Sequence, residues 1–205
     1  MSILYTVDLG FDFNSIELGA PYDQSTGFYP LQFNMINPNG EIAAWPTQLH
    51  SGDQIRFHIT DITHSATDTP DDVANTWSST GAVGGYTPSN LYVAIVNPVT
   101  GVSPSVNPFT SGSYVPLGSS GIKGLHFDSS QLKFQSGRTD SVVYDADNSG
   151  WELARWYAGG GQSFTFQLNV SAFYKFSLQL EVSQPSGPVK KFIVDPEMFV
   201  GGGSG

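Results

Sequence analysis

In the last third of the chain, apolar and polar residues alternate with a period of two. Apolar side chains occupy every second position from Phe164 to Val170 and again from Tyr174 to Val182. Since successive side chains of a β-strand point to opposite faces, this pattern predicts two strands, each with one buried and one solvated face. Only a short join separates them, so we expect a hairpin in an antiparallel sheet that packs on a second layer.

Four earlier segments show the same character and predict further strands. They run from Ile3 to Leu9, from Leu31 to Met35, from Gln54 to Thr60 and from Asn90 to Val96. The last of them is almost continuously apolar, which predicts a central strand. After the second segment, the sequence from Asn37 to Gly40 (NPNG) combines residues favoured in tight turns and predicts one there.

Two proline-rich segments, from Thr69 to Pro88 and from Asn97 to Pro116, predict long surface loops, because proline removes a ladder donor. Short helices are predicted only from Thr69 to Trp77 and from Asn148 to Tyr157. With no internal repeat, the chain is predicted to be one all-β domain over residues 1–200, followed by a flexible glycine-rich tail from Gly201 to Gly205. The expected architecture is an antiparallel β-sandwich of jelly-roll or immunoglobulin-like type.

The charge balance narrows the range of partners. The 205 residues include eight Lys and Arg against eighteen Asp and Glu, a formal net charge of −10. An acidic chain repels phosphate backbones, so neither nucleic acid nor an anionic membrane is expected as a partner. The absence of cysteine excludes disulfides, thiol nucleophiles and thiolate metal sites. The beginning lacks a signal-peptide pattern, and no run of about 18 apolar residues follows, so we expect a cytoplasmic protein.

One segment resembles the start of a calcium-binding loop. Asp145, Asp147 and Ser149 place oxygen-bearing side chains at alternate positions, and Gly150 follows where such a loop bends sharply. However, Trp156 occupies the position at which the bidentate glutamate normally stands. The alternative is an ordinary polar turn, and calcium is the only cofactor that the sequence suggests.

Catalytic patterns are weak. His58, His64 and Asp61 carry metal-ligand chemistry, but the spacing of the two histidines matches no standard ligand pattern. No Gly-x-Ser-x-Gly motif provides a nucleophile, and neighbouring carboxylates in sequence say nothing about pairing in space. We therefore predict no catalytic residues and expect that the chain is not an enzyme.

Tryptophans beside predicted loops suggest a second class of function. They are Trp45, Trp77, Trp151 and Trp156. Aromatic faces stack on sugar rings, so these side chains are candidates for glycan binding, with calcium assistance from the Asp145 segment. The alternative is that the rings cap the sandwich core or lie in a subunit interface.

Three segments carry a family resemblance: Thr6 to Asp8, Ser51 to Phe57 (SGDQIRF) and Phe192 to Val200 (FIVDPEMFV). They are similar to the opening strand, a central strand and the ending of the bacterial AidA/PixA inclusion-body protein family. The resemblance implies a small cytoplasmic β-sandwich that accumulates, self-associates and has no known enzymatic activity, linked to population state or host association. It carries over no catalytic or ligand residues.

The leading hypothesis from the sequence is therefore a non-enzymatic bacterial protein that forms homo-oligomers, with the proline-rich loops as contact surfaces. Low charge density favours such packing, although a net charge of −10 opposes it near neutral pH. The alternative function is a carbohydrate-binding module, assisted by calcium.

Overall fold

The computed structural model describes residues 2–11, 27–43, 48–62, 86–117, 122–135, 154–167, 172–194 and 197–200. Within these ranges the chain forms β-strands and one turn of 3₁₀ helix at Gly159–Gly161, which confirms the all-β prediction. No helix in the described part is long and apolar enough to cross a membrane.

The described strands vary from two residues to twelve. In chain order they are β1 (Leu4–Phe11), β2 (Tyr29–Pro30), β3 (Gln32–Ile36), β4 (Gln48–Leu49), β5 (Gln54–Asp61), β6 (Thr87–Val96), β7 (Tyr114–Pro116), β8 (Lys123–Asp128), β9 (Leu132–Gln135), β10 (Ala154–Ala158), β11 (Phe164–Thr165), β12 (Ala172–Ser183), β13 (Lys190–Val194) and β14 (Glu197–Val200).

These strands form two sheets. The smaller sheet has the order β3-β1-β5-β10-β9, and β11 also pairs with β5. The larger sheet has the order β2-β13-β12-β6-β8-β7, while β14 pairs with both β12 and β4. Most neighbours among the described strands are antiparallel, as predicted, but β1 pairs with β5 in parallel, as do β13 with β2 and β14 with β4. Both sheets are therefore mixed.

The inward faces of the two sheets share one hydrophobic core. Alternate positions of the long strands supply it: Val7, Leu9, Ile55, Phe57, Ile59, Leu91, Val93, Ile95, Phe176, Leu178 and Leu180. Each large apolar side chain buried in this way contributes about 1.5–3 kcal/mol relative to exposure. Phe57 and Phe164 of the smaller sheet meet Phe127 of the larger one, with ring centroids 5.3 to 6.2 Å apart, so aromatic packing joins the layers.

The predicted hairpin between the two alternating runs of the last third is wrong. Phe164–Thr165 pairs with β5 in the smaller sheet, whereas Ala172–Ser183 lies between β6 and β13 in the larger sheet. The two runs therefore face each other across the core instead of pairing. A period of two requires only that one face is buried, and a strand in either sheet meets that condition.

The helix predicted up to Tyr157 is also wrong where the structure describes it. Ala154–Ala158 is a strand between β5 and β9, because backbone pairing on both sides outweighs the weak local pattern of five residues. The other predicted helix, from Thr69 to Trp77, and the tail from Gly201 to Gly205 lie outside the described residues. Residues 97–113 follow the prediction of a loop. The loop prediction is wrong at Tyr114–Pro116, which form β7, and at Pro88, which lies inside β6, because both segments pair with neighbouring strands.

Candidate functional site

Most of the predicted site residues lie outside the described residues. These are Asp145, Asp147 and Ser149 of the calcium candidate, and Trp45, Trp77 and Trp151 of the glycan candidate. Among the residues that the structure describes, no three His, Asp or Glu side chains come close enough to hold a metal ion.

Trp156 is not available to a ligand. It lies in β10 on the inward face, with 1% of its surface exposed. Its ring packs against Phe11 and Phe134, with centroids 6.1 and 5.3 Å away. The prediction of a sugar-stacking ring is therefore wrong for Trp156, because pairing of β10 with β5 turns this side chain into the core.

The candidate metal ligands His58 and Asp61 lie on opposite faces of one strand. His58 and Asp61 are three positions apart in β5, so alternation places them on opposite faces of the sheet. The ring of His58 stands edge-on to Tyr157, with centroids 4.4 Å apart. Burial, with the nearby positive charges of Arg155 and Arg56, lowers the pKa of His58 to about 3. His58 is thus a neutral side chain packed against Tyr157. His64 lies outside the described residues.

The larger sheet instead carries an open groove of about 570 Å³ on its outer face, which we call the outer groove. Its floor and walls are Tyr92, Ala94, Val115, Pro116, Leu117, Ile122, His126, Ser177, Gln179 and Lys191. The volume lies in the range of small-molecule sites. Apolar walls next to polar side chains give the groove two kinds of surface.

The pairing of three adjacent strands builds the floor of the groove. Tyr92 of β6 lies opposite His126 of β8 on one side and Gln179 of β12 on the other. One step along, Ala94 lies opposite Ser177, so small side chains follow large ones and leave a hollow. These outward positions alternate with the inward Leu91, Val93 and Ile95 of the core, whose burial fixes the register.

Glycine at position 124 allows the wall to come close to the floor. A Cβ atom there would lie 2.4 Å from the backbone oxygen of Val93 and 2.8 Å from Cδ1 of Leu117. Only glycine fits this contact without displacing backbone. Strand β7, which ends beside Leu117, pairs with β8 at this point and forms the apolar rim of the groove.

The rings of Tyr92 and His126 stack on each other in the floor. Their centroids are 4.6 Å apart and their planes differ by 8°. Both side chains remain partly exposed, so the stack presents aromatic surface to the groove. Burial and the charge of Glu181 raise the pKa of Tyr92, which keeps its hydroxyl protonated and able to donate a hydrogen bond at neutral pH.

A chain of polar contacts fixes the orientation of His126. Asn90 Nδ2 donates to Glu181 Oε2 at 2.8 Å, so the amide oxygen of Asn90 faces the imidazole. His126 Nε2, 2.9 Å from that oxygen, must then be the donor. In the neutral ring Nδ1 is therefore an acceptor. Lys191 Nζ completes the chain at 3.5 Å from Glu181 Oε1.

The sequence-based prediction missed these groove residues because it considered only aromatic side chains beside predicted loops as ligand contacts. Tyr92 interrupts an otherwise apolar strand, and this was the available signal, since an amphipathic ring at an outward position is a candidate contact. His126 lies outside every segment that the sequence predicted as a strand. Its position beside Asn90, thirty-six residues earlier in the chain, depends on long-range pairing of β6 with β8.

Comparison of the chain with protein-family models and with curated proteins finds no match. The resemblance to the AidA/PixA family accordingly stays a prediction.

Proposed function

We propose that this chain is a non-catalytic carbohydrate-binding protein whose ligand lies in the outer groove. The observation that carries the proposal is the Tyr92–His126 stack with amide, hydroxyl and ammonium groups beside it on one sheet face. A sugar has C–H faces that pack on aromatic rings and hydroxyls that both donate and accept hydrogen bonds. The groove offers a counterpart to each.

The polar groups of the groove suit hydroxyls better than ions. Gln179 and Ser177 can both donate and accept, Tyr92 donates, and Nδ1 of His126 can accept while the ring is uncharged. Lys191 is drawn towards Glu181, which reduces its pull on an anion. The resulting set is mixed and nearly neutral, so it favours uncharged polyols over charged ligands.

The proposal is non-catalytic because the described residues place no pair of carboxylates in the groove lining. Glycoside hydrolysis generally needs two carboxyl groups flanking the scissile bond. None of the described residues that line the groove is acidic, and Glu181 beside it is engaged by Asn90 and Lys191. This arrangement supports binding without bond cleavage.

A glycan array with and without chelator tests the proposal. We expect binding to at least one glycan and about ten-fold or greater loss for Tyr92→Ala, the size typical of a central aromatic contact. Tyr157→Ala is the matched control, since Tyr157 is a partly exposed tyrosine on the outer face of the other sheet. Background binding by the wild type in both conditions would exclude the proposal. Loss on chelation would support the calcium role predicted for Asp145 and Asp147.

A second candidate function is self-association, and exposed valines favour it. Val99, Val102 and Val106 are 91%, 45% and 63% exposed in the loop between β6 and β7. Clustered apolar residues on a surface mark interaction sites more often than single ones do. This loop belongs to the proline-rich segment that the sequence predicted as a contact surface. We propose that it forms contacts between copies in a closed homo-oligomer.

Light scattering coupled to size exclusion tests self-association. We expect an oligomer that becomes monomeric when the three valines are changed together to serine. Ile42→Ser is the control, because Ile42 is 58% exposed but lies in another part of the chain. A wild-type monomer at every concentration up to millimolar would exclude this function.

A further inference from the structure

The smaller sheet contains an interrupted strand. β10 and β11 both pair with β5, and the pairs on either side of the gap are Tyr157 with His58 and Phe164 with Ile55. Six residues of the chain thus lie opposite two residues of β5. Insertions into a paired strand change the direction of nearby side chains and are common next to functional sites. Arg56 lies on β5 opposite this insertion.

Three consecutive glycines turn the inserted segment away from the sheet. Gly159, Gly160 and Gly161 have φ values of 60°, 69° and 87°, a left-handed run that residues with a Cβ rarely adopt. Gly159 packs on the ring of Phe164, where a Cβ would lie 3.0 Å from Cζ. Gly160 faces open space, with no atom within 4 Å of an ideal Cβ. The turn therefore leaves a hollow beside the strand.

That hollow is a cavity of about 340 Å³, which we call the glycine-turn cavity. Its lining residues are Arg56, Lys133, Phe134, Tyr157, Gly160 and Gly161. Lys133 lies opposite Tyr157 in the pairing of β9 with β10, so the two cations enter from different strands. Between them stands the ring of Tyr157.

Positive charge is concentrated at this cavity in an otherwise acidic chain. The sequence holds eight Lys and Arg in total, and two of those in the described ranges line the cavity. Among the described residues, neither Arg56 nor Lys133 forms an ion pair. A third cation, Arg155, follows on the same face, but its Nη2 lies 3.2 Å from Asp8 Oδ2 and Asp8 is 1% exposed. The Asp8 carboxylate is thereby engaged by Arg155 and, in the part of the chain that the structure describes, forms no ion pair with Arg56 or Lys133.

The histidine next to the cavity does not change the positive charge of the cavity. His58, which lies against Tyr157, does not compensate or add to it at neutral pH, because its low pKa leaves it uncharged. Arg56 carries a planar guanidinium that can hold two oxygens of one group, and Lys133 adds a compact charge.

We propose that the glycine-turn cavity binds a small oxyanion, a phosphate, sulfate or carboxylate group carried on an apolar body. Arg56 and Lys133 hold the charged group, and the ring of Tyr157 contacts the apolar body. This site lies on the opposite side of the sandwich from the outer groove and takes the opposite kind of ligand, so it stands whether or not the chain binds carbohydrate.

Amide chemical-shift titration with phenyl phosphate tests the proposal at constant ionic strength. Inorganic phosphate and phenol are run separately, to distinguish recognition of the anion from recognition of the body. We expect saturable shifts at Gly160 and Gly161, and binding at least about ten-fold weaker in Arg56→Gln, as for one lost charge-assisted hydrogen bond. Phenol alone should give much weaker shifts.

Lys133→Gln serves as the second variant, because Lys133 is exposed and its change should leave the fold intact. The matched control is Lys190→Gln, which removes the same charge from the other sheet. Equal weakening by Lys133→Gln and Lys190→Gln would mean general ionic attraction and would overturn the proposal. Shifts that grow linearly without saturation, or that miss the glycine turn, would also overturn it.

Discussion

On the outer face of the larger sheet one ion pair stays in contact with water, whereas on the outer face of the smaller sheet another ion pair is buried. In the larger sheet Lys191 and Glu181 keep 48% and 17% of their side-chain surface exposed, while Arg155 and Asp8 of the smaller sheet keep 11% and 1%. The two pairs have similar distances, 3.5 and 3.2 Å. The distance between the two charges therefore does not by itself set how much an ion pair stabilises the fold. Burial determines how much stability is lost when one partner is removed.

Both pairs have a further polar partner, but that of the buried pair is itself buried, whereas Asn90, which donates to Glu181 of the exposed pair, is only part-buried. Thr60 Oγ1 donates to Asp8 Oδ1 at 2.7 Å, and Arg155 Nε approaches the same Oγ1 at 3.2 Å. These contacts join β1, β5 and β10, the three central strands of the smaller sheet. One ion pair is therefore held in a buried polar network, whereas the other lies at the surface beside the outer groove.

The largest effect should come from breaking the buried pair. Arg155→Met removes the Arg155 cation from the buried Asp8 carboxylate, so we expect the free energy of unfolding to fall by about 3–5 kcal/mol. Lys191→Met in the exposed pair should cost at most about 1 kcal/mol. Urea unfolding of both variants measures the difference. Equal losses in the two variants would contradict the contrast between the faces.

The next effect concerns pH and His58. Since the folded pKa of about 3 lies below the ordinary value of 6.5, the unfolded chain binds more protons between these values. Stability is therefore full above pH 6.5 and declines as the pH falls towards 3, by at most about 1.4 kcal/mol per pH unit from this residue. His58→Gln should flatten that dependence in urea unfolding series. A His58 ring that titrates near pH 6.5 by NMR would contradict this account.

A smaller effect separates two glycines, one on each face. Gly124→Ala places a Cβ against the backbone of β6 and should cost about 1–3 kcal/mol, the usual size for overpacking. Gly160→Ala meets no atom within 4 Å but keeps a φ of 69°, so its cost is conformational, about 1–2 kcal/mol. Thermal unfolding ranks the two variants. If Gly124→Ala were neutral, the close contact between the groove wall and its floor would be wrong.

The smallest effect on stability, and the sharpest on binding, is expected from exchanging tyrosines between faces. Tyr92→Ala should weaken sugar binding and leave phenyl phosphate binding unchanged, and Tyr157→Ala should do the reverse. Isothermal titration of each variant with both ligand classes gives the four affinities. Loss of both activities in either variant would indicate a global change and not two separate sites.

The sequence predicts strands well where one segment carries a long apolar or alternating pattern, as in β1, β5 and β6. It fails where the outcome depends on which distant strand becomes the neighbour. The segments at Phe164 and Phe176 have the same alternating pattern but lie in opposite sheets. Trp156 is buried because β10 pairs between β5 and β9, which the local sequence does not indicate. The outer groove is of the same kind, since Tyr92 meets His126 only through the register of β6 with β8.

The most direct test of the carbohydrate proposal is amide chemical-shift mapping with methyl glycosides of glucose, galactose, mannose and fucose. We expect saturable amide chemical-shift changes from at least one of them at the outward positions of β6, β8 and β12, centred on Tyr92, His126 and Gln179. Shifts absent with all four sugars, or confined to the valine-bearing loop or the smaller sheet, would contradict it.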